Sequence, residues 1–304
     1  MRRHFLIICA VRHALLIVVL LPVLWIPANG DRSTVQAPSA RPNAFWCPMH
    51  PDIRSPDAGK CPICSMELVR IPASTHGAYE LEATQIPRPG GKGTKALQIQ
   101  IRHPETAEAV SAFSEIHERT LHLFIIGRDL SYFAHVHPER KDSGFELPVD
   151  LDPGVYVLVA DFAPSAGAPQ LVQRVIVTSE SEVSPFAGAE VTPDLTDKIV
   201  DGVRISLTAD ARAQRATALR FTLRDHASDA PPTDPEPYLG AAGHLLIVNS
   251  DITVAIHAHP EGSATAGPEV MFSPIFPSPG VYKLWVQFQR KGRVLTAPFA
   301  ITVR

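Results

Sequence analysis

The sequence predicts a mainly β protein: a small ribbon followed by two repeated immunoglobulin-like β-sandwich domains. Three observations predict it. From Ala96 onward, short apolar runs such as IQIR, TLHLFIIG, VYVLVADF and QRVIVT alternate with turn residues. The second half of the chain repeats the first. Near the N-terminus, a window of 24 residues from Phe45 to Leu68 holds three of the four cysteines, two of the four methionines and a histidine. The chain has 304 residues, 29 of them proline and only 3 tryptophan, which suits many short strands joined by proline-bearing turns. Its net charge of −3 creates no field that would draw nucleic acid or anionic lipid.

Residues 1–30 read as a signal peptide. Arg2, Arg3 and Arg12 form a basic n-region, and Ala14 to Ile26 is wholly apolar. That run falls short of the about 20 residues that span a bilayer. Ala28-Asn29-Gly30 supplies the small residues of a cleavage site, so the protein is expected to be exported, periplasmic or secreted, with no membrane span after cleavage. An uncleaved N-terminal anchor is the alternative. Residues 31–43 are polar and proline-bearing, a disordered spacer. The sulfur-rich module occupies 44–72, and Thr84 to Gly93 reads as a second linker.

In the module, Cys47-x2-His50 and Cys61-x2-Cys64 form two knuckles separated by ten residues. Two such knuckles bring four ligand atoms to one tetrahedral ion. The segment is too short to bury a core of its own, so a bound metal would supply its folding energy and staple the ribbon. Met49 and Met66 add thioethers, soft donors that favour Cu(I) or silver over zinc. A redox disulfide Cys61–Cys64 would leave Cys47, His50 and both methionines without a role.

The stretch WCPMHPDIRSPDAGKCPICSMEL resembles the heavy-metal-binding module Y-x-C-P-M-H-P…P-G-x-C-P-x-C-G-M-x-L. That module occurs in copper-transporting P-type ATPases and in periplasmic adaptors of copper/silver efflux pumps. The resemblance implies metal binding by Cys47, Cys61, Cys64 and His50, with Met49 and Met66 as further candidates. The family's glycine after the last cysteine is Ser65 here. Glycine tolerates a left-handed backbone at that point and serine is strained by it.

The β repeats span 95–178 and 201–304. LHLFIIGRDLSYFAHVHPER (121–140) aligns with GHLLIVNSDITVAIHAHPEG (243–262), with 8 of 20 positions identical and three of those histidine. PGVYVLVADF (153–162) aligns with PGVYKLWVQF (279–288). Each copy therefore carries a histidine and then an H-x-H-P-E: His122, His135, His137 and Glu139, then His244, His257, His259 and Glu261. On a strand, H-x-H places both imidazoles on one face. A hairpin turn between Arg128 and Asp129 would pair His122 with His135, and its counterpart His244 with His257. An even-length turn thus gathers three imidazoles, a set suited to Cu(II) or Zn(II); an odd one disperses them. The competing reading is that these histidines serve packing and backbone hydrogen bonds. His103, His117 and His226 have no companions at ligand spacing, and Trp285 and Phe288 read as core.

The expected function is that of an exported heavy-metal-binding protein. It would sequester a heavy-metal ion, Cu(I) or Zn(II), confer resistance, or hand the ion to a metal efflux system. The alternatives are a zinc-stapled structural or interaction scaffold of the cell envelope and a histidine-ligated metalloenzyme. No nucleophile elbow, Walker loop or dinucleotide fingerprint appears, and beyond Glu139 and Glu261 no acid or base accompanies the histidines, so no catalysis is expected.

Overall fold

The computed structural model describes residues 45–46, 54–55, 57–62, 65, 67–70, 79–87, 95–104, 106–142, 144–165, 167–178, 189–260 and 267–304. Among these residues every regular element is a strand, and every strand pairing is antiparallel. No helix among them is long and apolar enough to cross a membrane. The expected signal peptide and spacer lie outside the described residues.

The N-terminal ribbon comprises β1 (Phe45–Trp46), β2 (Arg54–Ser55) and β3 (Val69–Arg70), with β1 central. The first repeat comprises β4 (Glu80–Pro87), β5 (Lys95–Arg102), β6 (Phe113–Ser114), β7 (His122–Gly127), β8 (Phe133–Val136), β9 (Glu139–Lys141), β10 (Gly144–Pro148), β11 (Val155–Pro164) and β12 (Gln170–Val177). The second comprises β13 (Lys198–Val200), β14 (Val203–Ala209), β15 (Leu219–Asp225), β16 (Pro235–Glu236), β17 (His244–Asn249), β18 (Ala255–Ala258), β19 (Glu269–Phe272), β20 (Gly280–Arg290) and β21 (Arg293–Val303).

Each repeat is sandwich-like. In the first, a sheet β4-β5-β10-β9 faces a sheet β12-β11-β7-β8; in the second, β13-β14-β15-β19 faces a sheet built on β20-β17-β18 with β21 on β20. Alternate residues fill the space between sheets. Leu97, Ile99, Leu123, Ile125 and Phe145 do so in the first repeat, and Ile205, Phe221, Leu245, Ile247 and Phe299 in the second. One expectation is corrected. Thr84–Pro87, read as linker, is the end of β4, paired residue for residue with β5. The alternation of Leu81, buried, with exposed polar neighbours continues into this stretch, and the prolines that suggested a linker come only at its close. The first sandwich therefore begins before residue 95.

The two repeats pack against each other. Successive side chains of β7 point to opposite faces, and both faces are buried: Leu123 and Ile125 toward their own core, Phe124 and Ile126 toward the other repeat. Leu246, Val248 and Trp285 of the second repeat meet them, together with Val157 and Val159 of β11. Phe133 stacks on Trp285 with ring centroids 4.7 Å apart and planes inclined by 7°. The polar residues of these outward faces, Asp161 and Gln287 among them, lie at one end of this apolar seam.

Candidate metal centres

In the ribbon, Cys61 is 1 % exposed. Its carbonyl accepts a 2.9 Å hydrogen bond from Ser65 N, and Gly59 O accepts one from Leu68 N at 2.8 Å. Ser65 has φ 60°, the left-handed conformation that the family pattern reserves for glycine. Cys61 and Ser65 are thus held together by a backbone hydrogen bond, as a knuckle requires. Cys47, Met49, His50, Cys64 and Met66 lie outside the described residues.

The histidines of the repeats come together. The hairpin register differs from the expected one by one pair: Phe124 is opposite His135, and Leu246 opposite His257. The turn is centred one residue later than expected because Leu130 and Ile252, with φ 62° and 51°, take the left-handed position, and Asp129 and Asp251 cap the following Ser131 and Thr253 N–H groups. The loop remains even in length, so the face is conserved. His137 now continues the register opposite His122, and His135 is its diagonal neighbour.

His122 Nδ1 lies 3.1 Å from His135 Nε2 and 3.3 Å from His137 Nε2. His244 Nδ1 lies 3.1 Å from both His257 Nε2 and His259 Nε2. Tetrahedral coordination at metal–nitrogen distances of about 2.0–2.1 Å separates ligand atoms by about 3.3–3.4 Å. The contacts to His122 and His244 Nδ1 lie close to that spacing, and within each triad all ligand atoms lie within 4.8 Å of one another.

The opposite ring nitrogens fix the tautomers of His122, His135, His244 and His257. His122 Nε2 donates to Ile116 O at 2.8 Å and His244 Nε2 to Tyr238 O at 3.0 Å, because a carbonyl only accepts. His257 Nδ1 donates to the Asp161 carboxylate at 2.6 Å. His135 Nδ1 donates to Gln287 Oε1 at 2.7 Å, while the Gln287 amide nitrogen donates to Thr296 Oγ1 at 3.0 Å. In neutral His122 and His135, and in neutral His244 and His257, the nitrogens that face one another therefore carry lone pairs. Lone pairs 3.1 Å apart repel unless a cation sits between them. A proton is disfavoured there. Burial first, then repulsion from neighbouring imidazoles, holds His135, His244 and His259 well below the ordinary imidazole range, and His137 is pushed down to about 3. A metal ion satisfies both triads, with the acceptors for the far N–H groups of His122, His135, His244 and His257 already in place. Three protein ligands leave a fourth position open.

Three residues of the site were not legible as such in the sequence. His117, without a companion at ligand spacing, stacks on His259 with ring centroids 3.7 Å apart. It is held there by a tight turn, Ile116 to Arg119, in which His117 and Glu118 both have positive φ, 48° and 62°. The equivalent turn of the second repeat has Leu239 and Gly240. Asp161 and Gln287 are the other two. They occupy equivalent positions in the aligned PGVY strands, and a polar residue in an otherwise apolar strand was the available signal. Glu139 is exposed and pairs with Lys141 at 3.6 Å, and Glu261 lies outside the described residues. Trp285 and Phe288 are buried as expected, Trp285 in the seam and Phe288 in the second core.

Residues 44–71 match the family described as heavy metal binding domain, and residues 198–304 match a domain of unknown function (DUF8832). The first match establishes a heavy-metal-binding module in this chain. No curated protein matches the sequence. Among solved structures, dimeric latent PorU from Porphyromonas gingivalis is similar at 10 % identity and a TM-score of 0.21, over 75 % of this chain and 20 % of that one. The chain thus spans about a fifth of that protein's length. The FN1-FN3 domains of chicken CNTN1 are similar at 11 % identity and a TM-score of 0.21, over 79 % and 73 % of the two chains. Likenesses at that level carry no argument about this chain.

Proposed function

We propose that this chain is an exported heavy-metal-binding protein that sequesters copper, silver or zinc, or hands the ion to an efflux system. The observation that carries the reading is the convergence of imidazole nitrogens in both triads, with contacts of 3.1–3.3 Å to His122 and His244 Nδ1, downstream of a heavy-metal-binding module. The thioethers of Met49 and Met66 beside Cys47, His50, Cys61 and Cys64 suit Cu(I) or silver, as in the ATPases and efflux adaptors that carry this motif. The imidazole triads suit Zn(II) and Cu(II). The protein acts as a binder and not as a catalyst in this reading, because the titratable groups beside the triads are engaged with the ligands themselves, Asp161 as acceptor for His257 and His117 stacked on His259.

The test is metal analysis of the full chain recovered from cell fractions, with growth measured under copper, silver and zinc. The expected result is metal-loaded protein in the envelope or medium, and growth protection that is lost when Cys47, Cys61 and Cys64 become serine and the six triad histidines become alanine. Metal-free protein, or protein confined to the cytosol, would contradict it.

A further inference from the structure

The two triads are related by the repeat, yet their surroundings differ in three respects. The first is the acceptor behind the strand-paired histidine. His257 donates to a carboxylate, Asp161, whereas His135 donates to an amide, Gln287. A carboxylate behind a ligating imidazole raises the ligand's basicity and balances part of the metal's charge, and an amide only orients the ring. The second is burial. His244, His257 and His259 are all buried, whereas His135 and His137 are partly exposed. The third is His117, whose ring stacks on His259; the residue at its repeat-equivalent position, Leu239, offers no such ring.

Both acceptors come from the opposite repeat. Asp161 stands on β11 beside His122, in register with it, but serves His257. Gln287 stands on β20 beside His244 but serves His135. Rings of the two triads approach to 5.5–5.8 Å between centroids, so the six histidines form one paired centre across the seam.

We propose that the two triads are unequal members of this pair: His244, His257 and His259, backed by Asp161, hold the tightly bound resident ion, and His122, His135 and His137, backed by Gln287, hold the ion that exchanges. The inference rests on the reading of the triads as metal sites. Asp161 acts as a positioning residue, through His257, on a site in the other domain. The division gives a protein of the proposed function a permanent ion in the second repeat, tied to the first through the His257–Asp161 hydrogen bond, and a second, accessible one available for transfer.

The test is Zn(II) competition against a chromophoric chelator on the full chain carrying Cys47→Ser, Cys61→Ser and Cys64→Ser. Two ions are expected, with dissociation constants at least about tenfold apart. His259→Ala removes the tighter and His137→Ala the weaker. Asp161→Asn weakens the tighter constant by about 10- to 100-fold and leaves the weaker unchanged, while Gln287→Glu tightens the weaker one. Cu(II) EPR of the Asp161→Asn protein shows an altered hyperfine pattern at one site only, which a general loss of folding would not produce. Two equal constants, or an Asp161→Asn effect shared by both sites, overturns the inference while leaving the metal reading intact. A parent protein that binds neither Zn(II) nor Cu(II) overturns the metal reading, and this inference with it.

Discussion

Asp161 of the first repeat accepts a 2.6 Å hydrogen bond from His257 of the second, and Gln287, at the position equivalent to Asp161, accepts one of 2.7 Å from His135. The repeats thus exchange acceptors, and neither triad is completed by its own domain. Asp161→Ala leaves the buried His257 Nδ1–H without its acceptor. The expected cost is about 1–3 kcal/mol of stability in metal-free protein, read by urea unfolding at neutral pH.

Because the acceptors are supplied across the seam, loosening the seam weakens both triads together. Trp285→Ala removes the ring stacked on Phe133 and is expected to cost about 3–5 kcal/mol. Zinc affinity at both histidine sites is expected to fall with it. Chelator competition on this variant separates a seam effect from a local one, which would spare at least one site.

Metal-free protein is expected to lose stability in mild acid. Burial lowers the pKa of His117, His122, His135, His137, His244, His257 and His259 in the folded state. The unfolded chain therefore binds more protons than the native one below about 6.5. The imidazole contribution is fully present above that value and is lost as pH falls from there through the folded pKa values, about 3 for His137. Asp161, raised to about 6 by burial, works in the opposite sense: it favours the folded state below the ordinary carboxylate value and loses that contribution as pH rises through about 6. One carboxyl against seven imidazoles leaves the acid loss dominant. A melting-temperature series from pH 8 to pH 4 checks the sign, and saturating zinc is expected to raise the temperature most at the alkaline end.

How much of this was legible in the sequence follows from what each signal encodes. Strand alternation and the repeat gave the two sandwiches, because side-chain period and burial are local properties. The convergence of His122, His135 and His137 was legible through turn parity, although the pairing itself was misplaced by one step. Parity depends only on loop length, whereas register depends on which residue takes the left-handed position, and Leu130 is not a residue type that advertises it. Asp161, Gln287 and His117 were not legible as site residues because their partners come from the other repeat, and sequence spacing carries no information about how two domains dock. The end of β4 was hidden by the proline and glycine that follow it.

Ser65 carries a testable strain. With φ 60°, it stands where a side chain costs roughly 1–2 kcal/mol relative to glycine. Ser65→Gly is expected to tighten metal binding by the ribbon by roughly five- to thirtyfold, since folding and binding are coupled there. Cu(I) competition on this variant measures the gain, and an unchanged affinity would show that the strain is relieved in the metal-bound form.

The central claim is that the histidine triads, and not only the cysteine module, hold metal. Native mass spectrometry of the protein loaded with Zn(II) tests it most directly, alongside the variant in which Cys47, Cys61 and Cys64 are serine. The account predicts three ions in the intact protein, one for the module and one for each of the two triads, and two in the variant. One ion in the intact protein and none in the variant would contradict it, and would assign the six histidines to packing alone.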